Sequence, residues 1–270
     1  MNPLELESLS KKIRIEVIKM LAKAGSGHTA GSLDVVDILV SLYFSVLKHD
    51  PKKPTWEDRD RFVLSAGHMV PALYAVLAEA GYFSTDRLET LRKLGSPLQG
   101  HPHYDLSIGI EASSGPLGQG ISVAAGMALA GKIDKQPYHI YCLVSDGEHD
   151  EGQLWEAIMF CAKYKLNNLT LIIDRNNIQI DGLTEEIMPL EPLDEKYRAF
   201  NWYIEEVDGH NIDQLIKVFE KSKNQNKPTA IIANTIPGKG VSFFERDYHW
   251  HGKAPSQEEA ALAIKELESA

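Results

Sequence analysis

The sequence has little cysteine, no long apolar run and a deficit of positive charge, and each shortage removes a class of protein. Only Cys142 and Cys161 occur in 270 residues. Each lies inside an apolar stretch, so a disulfide-stapled secreted scaffold is excluded and reduced core thiols are expected. Two such cysteines cannot supply a zinc site either. The most apolar run, Ile38 to Leu47, is about half the ~20 residues that a spanning helix needs and contains Ser41 and Ser45, so it predicts a buried helix. Lysine and arginine total 28 against 38 aspartate and glutamate, a net charge of −10. A field of that sign repels phosphate backbones and anionic lipid, so neither nucleic acid nor a membrane is expected as a partner. The opening residues, MNPLELESLSKK, lack a basic stretch followed by an apolar one, which predicts no leader and a cytoplasmic location. Also missing are internal repeats, Gly/Ser linkers and breaks in composition. With 43% hydrophobic and 24% charged residues, the chain reads as one folded domain over residues 1–270.

What is present begins as helices. Leu6, Leu9, Ile13, Val17 and Met20 recur at spacings of three and four, predicting an amphipathic helix that Gly25 ends. Ser32 is placed to cap a second, running through Val36, Leu39, Val40, Tyr43, Phe44 and Leu47. A short strand over Phe62 to Ser65 follows, then a helix from Pro71 to Ala80 and another from Ser84 to Gly95. Ser96 to Gly115 has no period and reads as a long loop, the kind that carries function. Within GPLGQGISVAAGMALAGK, Pro116 to Lys132 reads as a helix packed on all sides, its Gly and Ala spaced for close backbone approach. From Tyr138 the pattern changes to strands (YHIYCLVS, LTLIID, YIEEV, TAIIANT) alternating with helices (Glu151 to Lys165, Ile212 to Lys223). That alternation predicts an α/β fold, mainly parallel sheet with helices on both faces. Ser256 and Glu259 stand at capping-box spacing and open a last helix.

In such a sheet ligands bind beyond the carboxyl ends of the strands. Asp146 and Asn176 each follow a strand, separated by one helical crossover. A carboxylate and an amide oxygen brought together there are hard ligands of the kind Mg²⁺ or Ca²⁺ takes, with water and phosphate oxygens completing the shell. Gly147, without a Cβ, would admit a diphosphate close to the backbone. Spacing alone leaves open the plainer reading of two turns, Asp146-Gly147 and Asn176-Asn177. Histidines beside glycines form a second set: His28, His68, His101 with His103, and His249 with His251. Together they offer proton carriers and neutral donors suited to a polyhydroxylated substrate. The acidic segment Glu148 to Glu151 reads as a solvated loop. Trp155 and Phe160 read as core. Ile178, Ile180 and Leu183 flank Asn176 and either cover an apolar part of a ligand or close the sheet edge.

SDGEHDEGQLWEA, followed at the right distance by IIDRNNIQIDG, is similar to the signature by which thiamine diphosphate enzymes hold the cofactor's diphosphate through Mg²⁺. With SGHTAGSL, SAGHMVPALYA, GSPLQGHP, SSGPLGQGIS and HGKAP in the same order, the chain from about residue 10 to 257 resembles the N-terminal, diphosphate-binding part of transketolase. The resemblance implies Asp146, the Asn176 side chain and the Ile178 carbonyl as metal ligands, with Ser145 and Gly147 beside the diphosphate and His68 and His251 touching it. It implies Gly115 against the aminopyrimidine and Leu117 against the thiazolium. His28 and His101 would bind ketose hydroxyls, His28 with His251 would move protons, and Glu151 would stand at a subunit interface.

Two departures accompany the resemblance. Ser145 stands where the family usually has glycine, so backbone approach is tighter or the hydroxyl donates a hydrogen bond. The family's pyrimidine-binding glutamate belongs to a part of transketolase absent from these residues. The resemblance therefore implies a two-component enzyme: this chain, a C-terminal subunit supplying that glutamate, a heterotetramer of two of each, and sugar or sugar-phosphate substrates exchanging a glycolaldehyde unit. Two alternatives stand beside it. One is the diphosphate-binding subunit of a 2-oxo acid dehydrogenase, against which the GSGH, GHP, GPLGQG and HG elements argue; the other is a non-catalytic module for a Mg-diphosphate ligand.

Overall fold

The computed structural model describes residues 1–269. The predicted first helix is α1 (Pro3–Ala24), opened by a reciprocal Asn2–Glu5 capping box and closed by Gly25 at φ 66°, a left-handed stop that glycine adopts without strain. The second predicted helix is broken. It appears as α2 (Ala30–Asp34), α3 (Val36–Ser41) and a wide turn over Leu42–Val46. Ser32 does not cap it, because its hydroxyl donates back to the carbonyl of His28 at 2.6 Å. Strand β1 (Arg61–Leu64) and helix α4 (Val70–Glu79) follow as expected. The helix expected from Ser84 shrinks to a 3₁₀ segment, Thr85–Thr90, and Ser96 to Gly115 is indeed mostly irregular, with one 3₁₀ turn at Leu106–Ile108.

Helix α5 (Gly120–Ile133) is not packed on all sides. Its Val123 and Ile133 are exposed, and a Cβ at Gly126 would meet nothing within 4 Å. The α/β half contains β2 (Ile140–Ser145), α6 (Gly152–Lys163) and β3 (Leu169–Arg175). A hairpin of β4 (Ile178–Gln179) and β5 (Gly182–Leu183), and the short helices α7 (Thr184–Ile187) and α8 (Leu193–Ala199), come next and were not expected. Then come β6 (Tyr203–Asp208), α9 (Ile212–Ser222), β7 (Thr229–Asn234) and α10 (Gln257–Ser269). The Ser256–Glu259 capping box forms, with both reciprocal bonds present.

Five strands make one parallel sheet in the order β1-β2-β3-β7-β6. Alternate residues of β2 enter different cores. Tyr141 and Leu143 face α1, α4 and α9, whereas Ile140, Cys142 and Val144 face α5 and α6. Burial on both faces explains why these strands read as unbroken apolar runs. The register pairs Ser145 with Asp174. This sets the residues just beyond each strand, Asp146 and Asn176, near one another at the carboxyl edge, with Arg175 at the end of β3 beside them. Both cysteines are free and buried. No helix among the described residues is long and apolar enough to cross a membrane.

Candidate functional site

At that edge lies a cleft of about 300 Å³. Four of the Gly-His turns deliver imidazoles to its wall: His28, His68, His101 and His251. His28 follows Gly27, whose φ of 137° suits glycine and where a Cβ would lie 2.4 Å from Leu21. His68 sits in the turn after β1. The Thr29 hydroxyl donates to the carbonyl of Lys253 at 2.5 Å, holding the segment that carries His251 against the turn that carries His28. Ring centroids lie 5.0 Å apart for His28–His68, 5.2 Å for His68–His251, 5.8 Å for His28–His251 and 6.4 Å for His28–His101.

Desolvation lowers the proton affinity of all four rings, His101 included although that residue is itself exposed. It lowers His28 to about 4, helped by the nearby His251, Arg92 and His101. His68, His101 and His251 are lowered mainly by the same desolvation. The set is neutral at pH 7, so each ring offers one donor and one acceptor. Nδ1 of His28 and Nε2 of His68 are buried with no hydrogen-bond partner. A buried polar atom without a partner is costly, and two in one cleft mark positions for a ligand. His103 and His249 are exposed and do not line this cleft.

The floor comes from the strand ends. Gly115, Leu117, Ser145, Gly147, Asn176 and Ile178 all line the same cleft as the histidines. A Cβ at Gly147 would find nothing nearer than 3.5 Å, leaving its backbone open to approach. Asp146 is brought to the site but lies beneath its surface, 1% exposed. Its Oδ2 accepts from Arg175 Nη1 (2.9 Å), the Asn177 backbone N–H (2.9 Å) and the Thr184 hydroxyl (3.2 Å). Its Oδ1 accepts from the backbone N–H of Gly147 at 2.7 Å. Burial raises its pKa against the pull of Arg175. Asn177 takes φ 64°, a left-handed turn that asparagine tolerates. This turn swings the chain out of β3 and lays buried Ile178 along the floor. Ile180 and Leu183 are exposed.

Several residues that hold the site escaped the sequence reading. Glu148 is fully buried rather than part of a solvated loop. It accepts from the Ser65 hydroxyl (2.5 Å) and the backbone N–H of Gly118 (2.9 Å) and Ser145 (2.8 Å). It thereby ties together three segments of the cleft. The Ser145 hydroxyl is turned the other way, accepting from the Glu148 backbone as a helix cap. Arg175 joins Asp146 to Glu185 and Glu191. Asp34 and Asp174, both fully buried, flank Asn176. Burial raises both, Asp174 to about 8; the charge of Asp146 adds to each, and Asp174 raises Asp34 further. Glu151 is exposed at the start of α6, its Cβ 2.6 Å from where a Cβ on Gly118 would stand. Of the residues read as core, Trp155 is half-buried, and Phe160 is exposed beside α5.

Among the described residues no three His, Cys, Asp or Glu side chains converge on a metal position. The side-chain donors at the strand ends are instead mixed, one carboxylate and one amide oxygen, a pair that suits a hard cation sharing its shell with phosphate oxygens.

This arrangement is that of a cofactor-binding α/β domain. A family model described as the transketolase thiamine diphosphate-binding domain matches residues 6–268. The 6-deoxy-6-sulfo-D-fructose transketolase subunit SqwG of Clostridium sp. (strain MSTE9) is 45% identical over 98% of this chain and 97% of its own length. A subunit of the apulose-4-phosphate transketolase of Phocaeicola vulgatus is 42% identical over 97% of this chain and 93% of its own. The solved transketolase of Campylobacter jejuni superposes with a TM-score of 0.93 at 34% identity, covering 99% of this chain and 43% of that one. The chain therefore spans about two-fifths of that longer transketolase, but nearly the whole of the two subunits. It belongs to the transketolase family, as the thiamine diphosphate-binding domain. Within that family it corresponds to the N-terminal subunit of a two-component transketolase, a transferase that works with a partner subunit.

Proposed function

We propose that the cleft holds thiamine diphosphate through a divalent cation, Mg²⁺ or Ca²⁺, with Asp146, the Asn176 amide oxygen and the Ile178 carbonyl as the protein's ligands. The observation that carries this reading is the convergence of four neutral imidazoles, two with unsatisfied buried nitrogens, on a strand-end floor bearing Asn176 and open glycine backbone. The residues fit the group. His68 and His251 donate to the diphosphate beside Ser145 and Gly147, while Gly115 and Leu117 meet the rings. When bound, the cofactor supplies a nucleophilic carbon and an electron sink for cleaving the bond next to a ketose carbonyl.

The chain's own residues then handle the sugar. His28 and His101, neutral and 6.4 Å apart ring to ring, hold hydroxyl groups near the reacting carbon and exclude water from it. His28 and His251 stand to move the proton at the departing aldose oxygen. The glutamate that activates the cofactor comes from a C-terminal partner subunit, and two copies of each chain form a heterotetramer in the cytoplasm. The transferred unit is the two-carbon glycolaldehyde group, passed between a ketose and an aldose of the pentose phosphate type. Arg92 suits a phosphorylated substrate: this exposed cation has no carboxylate within salt-bridge range among the described residues and is close enough to depress His28 and His101.

Reconstitution tests the reading. The purified chain with Mg²⁺ and thiamine diphosphate should transfer no glycolaldehyde, and adding a C-terminal transketolase subunit should start transfer from a ketose phosphate. Turnover by this chain alone, or none by the pair over a panel of phosphorylated, deoxy and sulfonated ketoses, would refute it.

A further inference from the structure

Asp34 has no place in the mechanism above, yet it is among the most deeply buried acids of the chain. It ends α2, is 0% exposed, and its Oδ1 has no hydrogen-bond partner. Burying a carboxyl so poorly satisfied is unfavourable and calls for a compensating role. Its one hydrogen bond leads to the cleft: Nδ2 of Asn176 donates to Asp34 Oδ2 at 3.1 Å and to Asp174 Oδ2 at 2.8 Å. Asn176 is 142 residues away in the chain, so no local turn requires this contact.

An amide side chain can face either way, and only its oxygen can ligate a hard cation. Two contacts choose the orientation here. Both hydrogens of the NH₂ group are taken by the two carboxyls. The backbone N–H of Ile178, which can only donate, meets Oδ1 from the other side at 3.1 Å. We propose that Asp34 is a positioning residue for the cation-diphosphate site: with Asp174 it clamps the Asn176 amide so that its oxygen is presented to the cleft. Asp34 acts as a hydrogen-bond acceptor behind the ligand and touches neither cation nor cofactor. The proposal rests on the cofactor reading above.

The test measures thiamine diphosphate binding to the reconstituted two-chain enzyme by calorimetry over a Mg²⁺ titration. Wild-type protein must first show Mg²⁺-dependent binding; if it does not, the cofactor reading fails before Asp34 is at issue. Asp34→Leu removes the acceptor while keeping the branched shape, and should raise the Mg²⁺ concentration for half-saturation about 10- to 100-fold, as loss of a partner behind a metal ligand does. Asp34→Asn keeps a carbonyl that can accept from Nδ2 and should stay within about threefold of wild type. In an Asn176→Ala background, Asp34→Leu should add nothing, because a clamp acts only through what it holds. Equal affinity for Asp34→Leu and wild type would overturn the proposal. So would an additive loss in the Asn176→Ala background, or an Asp34→Asn as weak as Asp34→Leu. If Asp34→Leu does not fold, Asp34→Ala, which also lacks an acceptor, takes its place in the same cycle and is read the same way.

Discussion

Glu148→Gln isolates the polar tie among Ser65, Gly118 and Ser145 behind the cleft. The carboxylate receives three donors, Ser65 Oγ and Gly118 N on Oε1 and Ser145 N on Oε2. A glutamine has one oxygen and one NH₂. If its oxygen serves Ser65 and Gly118, the NH₂ faces the N–H of Ser145, donor to donor; turned over, it leaves the N–H of Gly118 unpaired. Either way one buried backbone N–H is orphaned, at about 1–3 kcal/mol. The surviving bonds also drop from charge-assisted to neutral, each weaker by about 1 kcal/mol. Relief from burying a charge offsets part of this, so a net loss of about 3 kcal/mol is expected, a large share of the roughly 5–15 kcal/mol typical of a domain. Urea unfolding of the chain should show a lower midpoint with an unchanged slope. A loss below about 1 kcal/mol would refute the view that Glu148 joins Ser65, Gly118 and Ser145.

Asp146→Asn should weaken Mg²⁺-dependent thiamine diphosphate binding more than tenfold, on the order expected for altering a metal site; unchanged affinity in a calorimetric titration would remove Asp146 from it. Burial depresses His139 to about 3 and His149 to about 4. Between pH 6.5 and about 4 the unfolded chain therefore takes up protons that the folded one refuses. Stability should fall as pH drops through that window, by roughly 2 kcal/mol per imidazole at pH 5, and a urea midpoint equal at pH 7 and pH 5 would contradict this. Gly120→Ala places a Cβ 2.4 Å from Ser65 Cβ and 2.6 Å from its Cα, so backbone must move. A loss of about 1–3 kcal/mol is expected, and a melting temperature within a degree of wild type would show that the contact yields freely.

The parallel sheet was legible because its strands are buried on both faces, leaving runs such as YCLV and LTLII that no amphipathic helix produces. The pairing of Asp146 with Asn176 was legible because one crossover joins β2 to β3, so residues just after each strand must be neighbours. The Gly-His turns could be picked out as a set of proton carriers and neutral donors, although their convergence on one cleft could not, since it is made by segments distant in the chain. Glu148 was misread because its neighbours in sequence are acidic, whereas its partner Ser65 lies 83 positions away. Asp34 drew no reading from the sequence, because it sits in an apolar helical stretch and only the fold brings it to Asn176, 142 positions away. The breaks at α2 and α3 and the appearance of α7 and α8 have the same origin, because short segments take their form from what they pack on rather than from propensity.

The position of β7 governs when this protein can assemble. It is the last strand to be made, yet it lies between β3 and β6 in the sheet. As the chain leaves the ribosome, β1, β2 and β3 can pair in turn, but β6 emerges with no neighbour until residue 229 and beyond have followed. Until then the side of β3 that β7 will cover stays open to any passing strand. Nascent chains stalled before that point are the species most in need of a chaperone.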